Sequence, residues 1–239
     1  NKNNIVVNAP QFKLGDSVFN INALLATDLE ESILIKNINI KSKFLNTNTL
    51  LMYKDSPLLK NLPITILDGK FYSEKLQAEI YDSQLYLSAF SSNFKLNNQK
   101  LILKDISSEL YNGKLGGNID YDLKNEHFTT NIHARNVSAE PIFNIISTKK
   151  DSISGTLNFD SNIVGELTSK QSLNGNIKFI VNNGRMATLG KLEHLLYAQN
   201  VLADNMLRTT LSVVLKAITL KDTGLFKYLQ GDVDLNNGI

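Results

Sequence analysis

The feature that most limits what this chain can become is a period of two that recurs between Asp105 and Gly184. From Lys114 to Leu123 the apolar side chains Leu115, Ile119, Tyr121 and Leu123 share one parity, with Asn118, Asp120 and Asp122 on the other. Phe128, Ile132 and Ala134 then alternate with His127, Thr129, Asn131, His133 and Arg135. Ile153, Leu157, Phe159 and Ile163 alternate with Ser154, Thr156, Asn158, Asp160 and Asn162, and Leu173, Ile177, Phe179 and Val181 repeat the pattern. Successive side chains of a strand point to opposite faces, so these four runs specify strands with one apolar and one wet face.

The flanking sequence extends the same theme. Residues 17–26 set Phe19, Ile21, Ala23 and Leu25 against Ser17, Asn20 and Asn22, and residues 32–44 read as a second long strand. A loop-rich stretch over 45–63, with Pro57 and Pro63, separates them from ITILDGKFYS, which predicts a hairpin on Asp68-Gly69. LQAEIYD, QLYLSAF, SNFKL and KLILKDI read as short strands, with tight turns at Asn97-Asn98 and Tyr111-Asn112-Gly113. Asn182-Asn183-Gly184 and Asn236-Asn237-Gly238 are further turn candidates, because Asn and Gly tolerate positive φ. Roughly twelve strands with mostly short connections make sequential antiparallel pairing the simplest topology.

Two segments break the alternation. AEPIFNIIST (139–148) has a proline near its start and Ile142, Ile145 and Ile146 at helical spacing, which predicts a short helix. Residues 186–219 predict two amphipathic helices joined near 203–205. Leu189, Leu192, Leu195, Leu196 and Gln199 share one face of the first, and Leu207, Leu211, Val214, Leu215 and Ile218 one face of the second. LFKYLQGDVDL (225–235) returns to strand character.

Composition narrows the function classes. The net charge is +2, with 25 basic and 23 acidic residues dispersed along 239. Nucleic-acid binding calls for clustered Lys and Arg, so no nucleic-acid partner is expected. Zero cysteines exclude disulfides and thiolate metal sites, and fit the cytosol and the periplasm alike. No apolar run approaches the ~20 residues of a membrane-spanning helix. The opening NKNNIVVNAP and the closing VDLNNGI read as interior stretches of a longer protein.

No catalytic motif stands out. Gly113, Gly116 and Gly117 belong to a turn and its following strand, with no helix behind them to hold a phosphate. His127 and His133 stand about 20 Å apart on one strand, too far to share a metal. His194 is alone on a predicted helix. Asp120, Asp122 and Asp160 could be imagined as acid–base carboxylates, but solubilising residues on wet strand faces account for them more simply. The charged turn Lys149-Lys150-Asp151 reads the same way. Neither an enzyme nor a cofactor or metal site is expected. The apolar faces are the informative feature, and two readings of them stay open. One is a sandwich core packed against a second sheet. The other is a curled sheet whose apolar face is lined but not filled, leaving a groove for acyl chains. The lining would then be Leu115, Ile119, Tyr121, Phe128, Ile132, Leu157, Phe159, Ile163, Ile177 and Phe179.

The runs ELYNGKLGGNIDYDL, FTTNIHARNVSAEPIFNII, ISGTLNFDSNIVGE and LNGNIKFIVNNGRM, in that order, resemble the C-terminal region of the AsmA-like family. Tyr111, Gly113, Gly117, Val137, Ala139, Ser154, Gly155, Gly175, Asn183 and Gly184 occupy the places of its glycine and strand cadence, and the tail LFKYLQGDVDLNNG resembles its closing strand. The likeness extends over residues 30–239. It implies a periplasmic piece of an envelope protein, held to the inner membrane by an anchor outside this chain. It also implies a hydrophobic β-groove for phospholipid, and a part in lipid transport towards the outer membrane and in its biogenesis. Outer-membrane assembly proteins are further partners implied by it, and no catalytic residues come with it. The expected fold is mainly β: a long curled antiparallel sheet forming a groove-like meander, with a short helix and a two-helix insert at 186–218. Residues 1–104 form its N-terminal part and residues 105–239 the AsmA-like C-terminal part. The alternative function is a non-catalytic envelope scaffold with a closed apolar core, whose sheet edges recruit partner strands by β-augmentation.

Overall fold

A computed structural model of the chain describes residues 3–27, 33–48, 64–80, 83–146, 153–166, 169–186, 216–219 and 225–237. Among them, twelve strands belong to one sheet: β1 (Asn3–Leu14), β2 (Ser17–Thr27), β3 (Ile33–Asn46), β4 (Ile64–Ile80), β5 (Ser83–Asn97), β6 (Lys100–Leu110), β7 (Gly113–Asp122), β8 (His127–Ser138), β9 (Ser154–Glu166), β10 (Ser169–Arg185), β11 (Lys216–Thr219) and β12 (Leu225–Leu235). Helix α1 (Ala139–Ile146) lies between β8 and β9 in the chain. The strand order follows the sequence from β1 to β10 and ends β10-β12-β11, so β1 and β11 are its two ends and the sheet is unclosed.

The chain divides into two compact units. The first holds residues 1–110 and 116–128, the second residues 111–115 and 129–239. In the first unit the register places apolar side chains abreast. Val7, Ala23, Ile38, Gly69, Phe94 and Leu103 form one row, and Ile5, Leu25, Ile35, Ile66, Leu96 and Leu101 the next. Ala23, Ile38 and Phe94 are buried within this face, while Ile21, Leu25, Ile35, Ile40, Ile66, Phe71, Leu101 and Leu103 pack around them half-buried. Opposed residues in a ladder share a face, so each row adds a strip of apolar surface without a helix.

Several sequence expectations need correcting. The pairing is mixed rather than wholly antiparallel, because β3 runs parallel to β4. Their connection, residues 47–63, exceeds the dozen or so residues that a parallel crossover needs. Asp68-Gly69 does not form a hairpin, since β4 runs unbroken from Ile64 to Ile80 and absorbs LQAEI as well. The register against β5 shifts between Ile66 and Gly69 instead, so the Asp-Gly pair marks an irregularity inside a strand. A Cβ on Gly69 would meet the Phe94 ring at 2.5 Å, so the glycine is the recess in which that ring lies. QLYLSAF and SNFKL are one strand, β5. The opening residues, not assigned to any element, form β1. Asn182-Asn183-Gly184 is no turn: it lies within β10, where Asn183 has φ +49° and the register against β9 shifts.

The two-helix insert is not supported. Its last residues, 216–219, form β11 on the edge of β12, and the remainder of the expected insert, residues 187–215, lies outside the described residues. The short helix at 139–146 is present. Ser138 stands at its N-cap position, Glu140 complements the positive end of the helix dipole, and Pro141 falls in the first turn, where a missing N–H costs nothing. The turn expected at Tyr111-Asn112-Gly113 is present, and the one expected at Asn97-Asn98 lies one residue further on. Asn98 and Gln99 (φ +47° and +63°) link β5 to β6, and Tyr111 and Asn112 (φ +42° and +68°) link β6 to β7, as a two-residue hairpin with right-handed strand twist requires.

The β7–β8 turn carries a titratable latch. The Asp122 carboxylate accepts from the backbone N–H groups of Lys124 (2.9 Å) and Asn125 (3.2 Å). The Asn125 and Lys124 bonds hold its pKa below the ordinary 3.8. A depressed carboxyl stabilises above its unfolded pKa and loses that contribution as pH falls through the lowered folded one. The Lys124 and Asn125 amide resonances should therefore titrate together with a midpoint below 3.8, and Asp122→Asn should abolish that step.

Candidate functional site

In the second unit, β9, β10 and β12 carry four successive rows on one face. Leu157, Val181 and Leu229 form the first, and Phe159, Phe179 and Gly231 the second. Ser161, Ile177 and Val233 form the third, and Ile163, Gly175 and Leu235 the fourth. The other parity carries Asn158, Ile180 and Gln230, then Asp160, Lys178 and Asp232, then Asn162, Asn176 and Asp234. Period-two patterning has therefore produced one apolar and one polar face, as the alternation requires.

Burial along the apolar face is uneven, and α1 explains part of it. Leu157 (3 %), Val181 (0 %) and Leu229 (3 %) form a core with Ala139, Met186 and Phe226, and Ile142 and Phe143 of α1 pack against it. Beyond this row Phe159, Ile163, Ile177, Phe179 and Val233 remain half-buried, although Ser161 and Leu235 are covered. The Ser161 hydroxyl donates to the Ile132 carbonyl, so its burial leaves no unsatisfied polar atom.

The polar face is held by a hydrogen-bonded lattice. Arg135 donates to the Phe159 carbonyl (2.8 Å) and to Asp160 (2.5 Å). Asn131 donates to Asn162 (2.8 Å), Asn176 donates to Asp232 and Asp234, and Lys178 lies 3.8 Å from Asp232. Both partners of the Arg135–Asp160 pair are about half exposed, so it contributes at most about 1 kcal/mol and serves mainly to fix register.

Of the ten predicted lining residues, Leu157, Phe159, Ile163, Ile177 and Phe179 come together on this face. Ile132 joins them, because its neighbour Asn131 bonds Asn162 on the polar side. Leu115 is half-buried on β7 in the same unit, whereas Ile119, Tyr121 and Phe128, also half-buried, group with the first unit. The first unit carries a further apolar face on β2–β6, and none of its residues is among the ten predicted lining residues. Its legible signals were the Phe19–Leu25 alternation and the isoleucines of β3. Reading them as a surface required the parallel β3–β4 register. That face runs out to the edge strand, where Ile5 (48 %), Val7 (37 %) and Phe12 (49 %) stand exposed.

Among the described residues the reactive groups do not converge. Among the described residues no group of three or more His, Cys, Asp or Glu could hold a metal ion. His127 and His133 are exposed on β8. Asp160 is tied to Arg135, Asp122 to its turn, and Gly113 opens β7 after the Tyr111–Asn112 turn. His194 and Lys149-Lys150-Asp151 lie outside the described residues. Among the described residues no helix is long and apolar enough to cross a membrane.

An unclosed sheet with alternating apolar and polar parity, and half-buried apolar rows as its distinguishing surface, is the class of protein these features define. The chain belongs to the AsmA family, whose sequence profile matches residues 73–239. No curated protein and no solved structure matches it. Membership is consistent with a role in the cell envelope related to lipid transport.

Proposed function

We propose that this chain carries phospholipid acyl chains along the apolar face of a curled sheet, as a periplasmic part of an AsmA protein tethered to the inner membrane. In this role it contributes to lipid transport between the inner and outer membranes and to outer-membrane biogenesis. The observation that carries the reading is the row-by-row continuation of half-buried Phe, Ile and Val side chains, Phe159–Phe179 and Ile177–Val233 above all. Each buried methylene of an acyl chain gains about 0.8 kcal/mol. A continuous apolar strip therefore holds lipid firmly while asking little of headgroup chemistry. Movement along such a strip needs no bond-making, in keeping with binding and transfer rather than catalysis.

Native mass spectrometry of the purified chain, followed by lipid extraction, tests this directly. Co-purified phospholipid is the expected result. A lipid-free protein that also takes up no lipid from added micelles would reject it and favour the closed-core scaffold. The edge strand β1, with Ile5, Val6 and Val7 exposed, is the feature that recommends that second reading.

A further inference from the structure

The polar faces of the two units treat charge differently. In the second unit acids and bases alternate along the ladder and pair, as Arg135–Asp160 and Lys178–Asp232 do. In the first, β1, β3 and β5 contain lysines and no acidic residue, and β2 contains neither. The register sets Lys13 of β1 and Lys41 of β3 on the polar face with Lys70 of β4 and Lys104 of β6, two strands that also carry acids. Lys13 stands opposite Val18, Lys41 lies between Asn20 and Tyr72, and Lys70 lies between Asn39 and Asn93, with Lys104 next in that row. All four lysines are exposed, and among the described residues none of them forms an ion pair.

Asp68, Glu74, Asp105 and Glu109 are exposed in the same unit, but among the described residues none of them forms an ion pair with these lysines; Asp68 accepts instead from Asn37 and Asp105 from Asn93. Apolar side chains interleave with the lysines: Val6 (76 %), Val18 (41 %) and Tyr72 (38 %) stand exposed on the same parity. Exposed lysines next to apolar and tyrosine side chains match the headgroup layer of an anionic bilayer, where the charges meet lipid phosphate and the apolar groups enter the interface.

We infer that the polar face of β1–β5 docks on anionic membrane surfaces, independently of whether the apolar face carries acyl chains. Each lysine near such a surface contributes about fivefold in affinity, and the attraction fades once salt shortens the Debye length below ~8 Å. The test is co-sedimentation of the chain with phosphatidylcholine vesicles and with vesicles that also contain phosphatidylglycerol. Binding should require phosphatidylglycerol and fall steeply with salt. The double variant Lys41→Glu/Lys70→Glu should bind at least about 30-fold more weakly, while Lys227→Glu, an exposed reversal in the second unit, should bind normally. Circular dichroism keeps a folding defect from passing as lost binding, and the salt series on the unaltered protein stands without any variant. Equal binding to both vesicle types would overturn the inference. So would an unchanged double variant, or retention on polyglutamate beads without vesicle binding, which would assign the surface to an acidic protein. Failure of lipid co-purification would leave this result standing, because the two experiments read opposite faces.

Discussion

Gly175→Ala will destabilise the second unit by at least about 3 kcal/mol, seen as a lowered urea midpoint with little change in slope. Gly175 sits in β10 opposite Ile163 of β9 and Leu235 of β12, with φ at +152°. That backbone conformation is one L residues rarely adopt, which already costs of order 1–3 kcal/mol. Space compounds the strain: a Cβ there would lie 2.0 Å from the Asn162 carbonyl oxygen and 2.9 Å from the Ile163 Cα. Both obstacles are main chain, so no side-chain rotation relieves them. β9 must move away from β10, and the ladder bonds flanking the site go with it. Gly69→Ala is the instructive contrast, since the obstacle there is the Phe94 ring, which can turn aside. A Gly175→Ala protein with an unchanged midpoint would mean that the β9–β10 approach is looser than these contacts require.

The second large effect separates an apolar core from an apolar surface on the same sheet face. Val181→Asp places a carboxylate at a position with 0 % exposure, among Leu157, Leu229 and Phe226. Nothing there can pair it, so the cost is about 4 kcal/mol or more, comparable with the whole stability of a small domain. The variant should be recovered unfolded or not at all. Phe159→Asp, one row away, loses only part of a side chain's burial, about 1–2 kcal/mol, and its new charge can reach water. It should fold, with a near-native circular dichroism spectrum. Under the proposed function it should also lose co-purified lipid, because it interrupts the Phe159–Phe179 rung. If Phe159→Asp unfolds as completely as Val181→Asp, that rung is core rather than surface, and acyl chains have no path across it.

How much of this was legible beforehand follows from how far each signal reaches along the chain. Parity is local. The faces of β8, β9 and β10 could be read from the positions of Leu157, Phe159, Ile177 and Phe179, as could the helix start at Ser138–Pro141 and the turn at Tyr111-Asn112. Register is not local. Asp68-Gly69 and Asn183-Gly184 have the chemistry of hairpin turns, yet sit inside long strands, because a glycine that receives a neighbouring ring or sits at a register shift leaves the same residues in the sequence as one that turns the chain. The parallel β3–β4 pair was hidden for a related reason: a sequence stretch with two prolines does not say in which direction the next strand returns. β1 was missed because its uninterrupted Ile5-Val6-Val7 run and Pro10 blur the alternation that identified its neighbours.

The strand order also shapes the thermodynamics. From β1 to β9 each strand's ladder partners are its neighbours in sequence, so the sheet is close to a one-dimensional array in which free energy accumulates through nearest-neighbour interfaces. In such an array damage stays near where it is done, and fraying begins at the ends rather than spreading from a central core. Length becomes an adjustable quantity: a strand added or lost at an end of the sheet changes the number of strand interfaces by one and leaves the remaining interfaces as they were.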